Sequence, residues 1–319
     1  MDRFKRILVA ASPGHLEPAM LRAAAELAET SRARLTILDV VEPVGRLRRF
    51  AMVRRGTVDA HSELVRQRSE RLHRLMADTP VADGAEVKVL VGQPCIEVIR
   101  HVLEHDNDLV IVGGPSADGP GAPDCPNGVL QLLRKCPAAV WVMRPPQPGA
   151  SRILALVDPD SDDPARDGLN GRVLALAASL AGGDHGELHV GHALERTGER
   201  AVRSSPHVRP SHEVADVLAA SADAVHGERL GSLLERHDVA ESGAEVHLVE
   251  GHAGEVLPEL AHGLSTELIV MGTVARTGIS GVIIGNLAET ILRSVQCSVL
   301  AVKPDGFVAP VGPTPAMVA

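Results

Sequence analysis

The chain has no tyrosine, one tryptophan (Trp141) and three phenylalanines in 319 residues. Stacking platforms for single-stranded nucleic acid are therefore scarce. The net charge of −9 adds no general pull toward a phosphate backbone. Nucleic acid is not an expected partner. Lysine is almost as scarce, with four against twenty-eight arginines, which reads as genomic bias. The four cysteines, Cys95, Cys125, Cys136 and Cys297, lie far apart with no CxxC pair. That argues against a zinc ribbon and fits a reducing cytoplasm. No run of about 18 apolar residues occurs, so no membrane span is expected. The amino-terminal MDRFKRILVAAS passes from charge directly into a strand-like run, without the long apolar stretch of a signal peptide. The expected location is the cytoplasm. No GxGxxG follows a strand, and there is no GxxxxGK followed by Ser or Thr and no GxSxG. Dinucleotide, P-loop and nucleophile-elbow sites are unsupported.

What is present is a globular composition, 45% hydrophobic and 23% charged, long enough for about two domains. Arg6 to Ala11 reads as a buried strand, His15 to Thr30 as a helix and Arg34 to Val41 as a second strand. The segment Gly45 to Arg74 holds nine arginines against three acids and turns helical from about Val58. It reads as a solvated face, with an anionic partner as the alternative. Strands at Ala85 to Val91, Asp108 to Gly113 and Ala139 to Met143 follow, separated by helices at Pro94 to Glu104 and ending at Lys135. Alternating strands and helices predict a mostly parallel sheet covered on both faces.

Arg144 to Ser151, RPPQPGAS, is a linker, and after it the pattern restarts. RILVAAS at Arg6 returns as RILALVD at Arg152. AEVKVLVG at Ala85, DLVIVG at Asp108 and LLRKCPAAVWVMRP at Leu132 return at Ala244, Glu267 and Ile291, each 159 residues later. A repeat this long means two duplicated domains. The expected limits are 1–147 and 148–304, with a Pro-containing tail at 305–319 that is expected to be partly mobile.

The stretch from Leu268 to Ile291 combines a short buried strand, a loop bearing Gly278, Gly281 and Gly285, and a helix opened by Asn286. Asn286 suits an N-cap, and Glu289 stands at the capping-box position. Free N–H groups at a helix start make an anion site. The same pattern equally serves a plain strand-to-helix turn.

Two copies of about 150 residues, with strands such as RILV and ELIVMG and ends such as CSVLAVKP, resemble the universal stress protein family. LLRKCP at Leu132, GTVARTGIS at Gly272 and VKPDGF at Val302 are most similar to its tandem E type. The resemblance implies two tandem doubly wound α/β domains, each a five-stranded parallel sheet in the order 3-2-1-4-5. It also implies that the domains pair through their last strands, here within one chain. Some members bind ATP through a glycine, two residues, a second glycine, nine residues, a third glycine, then Ser or Thr. Gly272 and Gly285 match the first and third glycines, while Ala275 and Asn286 depart from the pattern. A Cβ at Ala275 narrows the space where backbone approaches phosphate. The resemblance further places Asp158 at the nucleoside and Ala193 beside the adenine. In the first domain Gly113 matches, but Ser116, Pro126, Asn127 and Ser12 replace the rest of the set, and Pro126 has no N–H to offer. No ATP is expected there.

Other chemistry reads weakly. His185, His189 and His192 cluster in sequence, but His189 and His192 fall on opposite faces of a strand and do not suit one metal. No metal ligands and no catalytic residues are assigned. Cys136 and Cys297 read as buried, unreactive thiols. Asp158, Asp160, Asp162 and Asp163 read as a polar loop and helix cap, with hydrated Mg²⁺ as the alternative. The expected function is a non-enzymatic stress-response protein holding or sensing a small ligand, adenine nucleotide or another, in the second domain. The alternatives are a slow ATPase or nucleotide-dependent switch, and a ligand-free interaction module. Arg276 is the only cation near the loop and no base accompanies it, which ranks the enzyme last.

Overall fold

The computed structural model describes residues 4–11, 16–43, 60–79, 84–114, 127–144, 152–159, 163–182, 186–194, 225–239, 243–273 and 286–312. They form two compact units, the first comprising the described residues of 4–144 and 307–312 and the second those of 152–306. The first contains β1 (Arg6–Ala10), α1 (Pro18–Ser31), β2 (Arg34–Val41), α2 (Ala60–Ala77), β3 (Glu86–Val91), α3 (Pro94–His105), β4 (Leu109–Gly113), α4 (Asn127–Lys135) and β5 (Ala139–Met143). The second contains β6 (Arg152–Leu156), α5 (Pro164–Ala181), β7 (Glu187–Leu194), β8 (Glu245–Glu250), α7 (Ala253–Gly263), β9 (Leu268–Gly272), α8 (Asn286–Ser294) and β10 (Ser298–Val302). Between β7 and β8, residues 225–236 form a further helix, α6.

The strand order is β3-β2-β1-β4-β5 in the first unit and β8-β7-β6-β9-β10 in the second. Counted within each unit, both are 3-2-1-4-5, and the strand pairs are parallel. The two doubly wound five-stranded sheets expected from the repeat are thus observed. Parallel strands buried on both faces need continuous apolar runs rather than alternation. Ile7, Leu8 and Val9 in β1 and Leu109, Val110 and Ile111 in β4 supply them, all fully buried. In the second unit Leu154, Ala155, Ile269 and Val270 take the same places. The buried side chains of α1 (Leu21, Ala24, Ala28) and α5 (Val173, Leu174, Ala177) recur at helical spacing.

Helix ends obey local rules. Proline opens α1, α3 and α5, where its missing N–H costs nothing. Asp163 caps α5 by accepting from the Ala165 N–H at 3.0 Å, in line with the helix-cap reading of the acidic cluster. α1 and α3 stop at Arg32 and Asp106, both in the left-handed region. On α2, Arg66 pairs with Glu63 and Glu70, so this face is solvated. Arg68 on the same helix instead reaches inward to Asp39. Among the described residues no helix is long and apolar enough to cross a membrane.

Candidate functional site

Open α/β sheets present ligands at the carboxyl ends of their strands, where the order reverses beside the first strand. In the second unit that point lies past the end of β6, between β7 and β9. Asp158 stands two residues beyond β6. Its N–H donates to Asn170 Oδ1 at 3.1 Å, and its carbonyl accepts from Asn170 Nδ2 at 2.8 Å. Asn170 is a buried polar residue on the core face of α5. The Asp158 carboxylate lies 3.9 Å from Arg166 Nη1, in the first turn of the same helix.

Ala193 lies in β7, in register with Val249 of β8. In a parallel sheet, alternate residues direct their backbone groups to opposite neighbours. The Gly191 carbonyl accepts from the Val157 N–H on the β6 side, and the Leu194 carbonyl accepts from Gly251 on the β8 side. Ala193 therefore aims its N–H and C=O to the β6 side, beyond the point where β6 has ended. Asp158 and the Ala193 backbone converge on this gap.

Gly272 is the last residue of β9. A Cβ there would stand 2.6 Å from Leu169 Cδ2, so Leu169 of α5 would have to shift to admit a side chain at this strand end. Thr273 follows, buried, with its Oγ1 donating to the Val302 carbonyl at 3.2 Å. Asn286 is the first residue of α8, and Glu289 in the first turn pairs with Arg293 at 3.2 Å. Ala275 and Gly285 lie outside the described residues.

The first unit differs at the matching points. Gly113 ends β4, and a Cβ there would meet only Met20 Sδ at 3.8 Å, an ordinary contact. Asn127 opens α4. Ser12, Ser116 and Pro126 lie outside the described residues. Asp39, the sixth residue of β2, is buried and 3.3 Å from Arg68 Nη1. Burial pushes its carboxyl above the usual carboxylate range, against the opposing pull of Arg68 and Arg71. The sixth residue of β7 is His192, equally buried, with Nδ1–H donating to the Val157 carbonyl at 3.1 Å and its ring stacked on His226 of α6. Both units thus put a polar group where an apolar run predicts a core residue. Asp39 within LTILDVV was the signal that sequence reasoning passed over, as was Asn170 on the apolar face of α5.

His189 and His192 occupy opposite faces of β7. His189 points away from His226 and meets His247 of β8 instead, with 3.0 Å between Nδ1 and Nε2. Cys136 is buried, whereas Cys297, just ahead of β10, is only half-buried. Burial pushes the Cys95 thiol up to about 11, away from thiolate chemistry.

The model of the family described as universal stress protein family matches this sequence twice, over residues 3–144 and 151–303. The chain belongs to the universal stress protein family. Among relatives, universal stress protein E of Escherichia coli (strain K12) is 29% identical over 265 residues, spanning 81% of this chain and 79% of that one. A universal stress protein E homolog of Haemophilus influenzae is 29% identical over 180 residues, 55% of each chain. Among solved structures, a functionally unknown protein of Pseudomonas aeruginosa PAO1 shares the fold with a TM-score of 0.68 at 22% identity, over 95% of this chain and 94% of that one. A universal stress protein of Archaeoglobus fulgidus does so with a TM-score of 0.58 at 15% identity, over 93% and 98%. Two universal stress domains in tandem account for the repeated strand order seen in the two units.

Proposed function

We propose that this universal stress protein acts in stress response without turnover, by holding a small anionic ligand of the adenine nucleotide class in its second unit. The observation that carries the reading is the convergence of Asp158 and the Ala193 backbone on the gap past β6. A carboxylate can accept from ribose hydroxyls, and an adjacent strand N–H and C=O can pair with the edge of a purine. Arg166 adds a cation in the first turn of α5, and α8 begins nearby in sequence after β9, with its N–H groups unpaired by the helix itself. Turnover would need a group that positions water, and none of these residues fills that role.

One observation favours a ligand-free interaction module instead. Gly272 packs closely under Leu169, so this glycine has a packing reason that needs no phosphate. Mass spectrometry of the freshly purified protein, denatured to release what it holds, separates the two readings. A purine nucleotide recovered with the protein, or bound weakly on titration, and lost in Asp158→Ala, supports the ligand-holding reading. Protein recovered bare, with no nucleotide binding on titration, supports the module.

A further inference from the structure

Where β7 and β8 begin, three side chains of the second unit meet on one face of the sheet. His189 and Glu245 are partners in the parallel register, and His247 stands two residues further along β8, on the same face as Glu245. This face carries α7, since a Cβ on the neighbouring Gly191 would press against Leu260 of that helix at 3.1 Å. His189 Nδ1 is 3.0 Å from His247 Nε2 and 3.5 Å from Glu245 Oε2. His247 Nε2 is 3.9 Å from Glu245 Oε1. One ligand atom from each residue fits within 4.8 Å of the other two.

These separations suit a tetrahedral metal. With Zn–N and Zn–O distances of about 2.0–2.2 Å, two ligand atoms on one zinc lie roughly 3.3–3.6 Å apart. We propose that His189, His247 and Glu245 form a site for a divalent transition metal of the Zn²⁺ type, with the fourth position left to water. Two imidazoles and one carboxylate select such a metal over Mg²⁺ or Ca²⁺, which prefer oxygen.

A metal-free pair of histidines sharing one proton explains the 3.0 Å contact but not the rest. His189 is buried, and its other ring nitrogen, Nε2, has no hydrogen-bond partner among the described residues. Glu187 Oε2 lies 3.9 Å from that nitrogen and accepts from Arg152 Nε at 2.9 Å. When Nδ1 gives its lone pair to a metal, Nε2 must carry the proton, and it then faces a carboxylate. At 3.9 Å this is not itself a hydrogen bond, but it puts an acceptor on the side where outer-shell partners orient ligating imidazoles. The site would tie the edge strand β8 to β7. It lies about 13 Å along β7 from Ala193, at a rise of about 3.3 Å per residue, and so is separate from the ligand gap.

The test uses the full chain, stripped by chelator and titrated with Zn²⁺ against a chromophoric zinc indicator. The wild type is expected to take up one tight equivalent. His247→Gln and Glu245→Gln are expected to weaken it at least about tenfold, the lower end of what even outer-shell partners contribute. His105→Gln, which alters the stacked His101–His105 pair in the first unit, is the control and should leave it unchanged. The Glu245 side chain is 68% exposed, so loss of the fold is not expected to intervene in its variant. No tight equivalent in the wild type, or binding that Glu245→Gln and His247→Gln leave intact, overturns the proposal.

Discussion

Asn170 clasps Asp158 by both backbone groups, accepting from its N–H at 3.1 Å and donating to its carbonyl at 2.8 Å. The contact fixes the chain where β6 ends, at the point where a ligand would sit. Removing a buried side chain that satisfies two backbone groups costs about 1–3 kcal/mol for each group left unpaired, less where water enters. Asn170→Ala should therefore lower the urea stability of the protein by about 2 kcal/mol or more. Asn170→Asp keeps the acceptor but loses the donor, and should fall between. Equal stability of wild type and Asn170→Ala would show that the clasp is incidental.

Gly272 and Gly113 end equivalent strands but answer to different neighbours. At Gly272 a Cβ would lie 2.6 Å from Leu169 Cδ2, whereas at Gly113 the nearest atom is Met20 Sδ at 3.8 Å. Overpacking of this kind costs about 1–3 kcal/mol. Gly272→Ala should be destabilised by that amount, and Gly113→Ala by no more than about 0.5 kcal/mol. Chemical denaturation of the two variants side by side checks the contrast. Similar losses in both would mean that Leu169 moves aside freely.

Acid should weaken the fold through its buried imidazoles. Burial holds His101 below its ordinary value of 6.5, helped by the nearby His105 and Lys88. Its Nδ1–H donates to Asn107 Oδ1 at 3.2 Å, while Lys88 donates to His105 Nε2 at 3.1 Å. As pH falls below about 6.5, the unfolded chain takes up protons that the folded chain refuses, so stability falls with it. His247 is shifted the same way by burial. The urea midpoint should drop between about pH 7 and about pH 5, and His101→Gln should reduce the slope. An unchanged slope in that variant would assign the acid sensitivity elsewhere.

The fold was legible because duplication wrote it twice. The constant spacing from Ala85 onward and the apolar runs RILV, DLVIV and ELIVM gave the strands and their parallel pairing, while their order came from the resemblance to the family. The candidate site was legible only where it rests on the chain's own course. Gly272 and Asn286 follow from where a strand ends and a helix begins, and Asp158 from the resemblance to the family. The partners that act on them do not. Leu169 meets Gly272, and Asn170 meets Asp158, across a helix–sheet interface whose side-chain register no periodicity reveals. His189 and His247 are 58 residues apart and meet only because β7 and β8 pair in parallel. Asp39 and His192 were visible as polar residues inside apolar runs, but their partners on α2 and α6 were not.

The central claim is that the gap past β6 holds an adenine nucleotide, weakly in the protein as it stands. Ala275 and Gly285 lie between β9 and α8 in the sequence, outside the described residues. A charged-group hydrogen bond lost to the Ala275 Cβ forfeits roughly 1.5–3 kcal/mol, more than the roughly 0.3–1 kcal/mol that the dipole at the start of α8 contributes. Calorimetric titration of the full chain with ATP, in the wild type, Ala275→Gly and Gly285→Val, tests this most directly. The account predicts weak binding in the wild type, affinity raised about tenfold or more by Ala275→Gly, and none in Gly285→Val. An Ala275→Gly variant that binds ATP no better than the wild type, or a Gly285→Val variant that binds it as well, would contradict it.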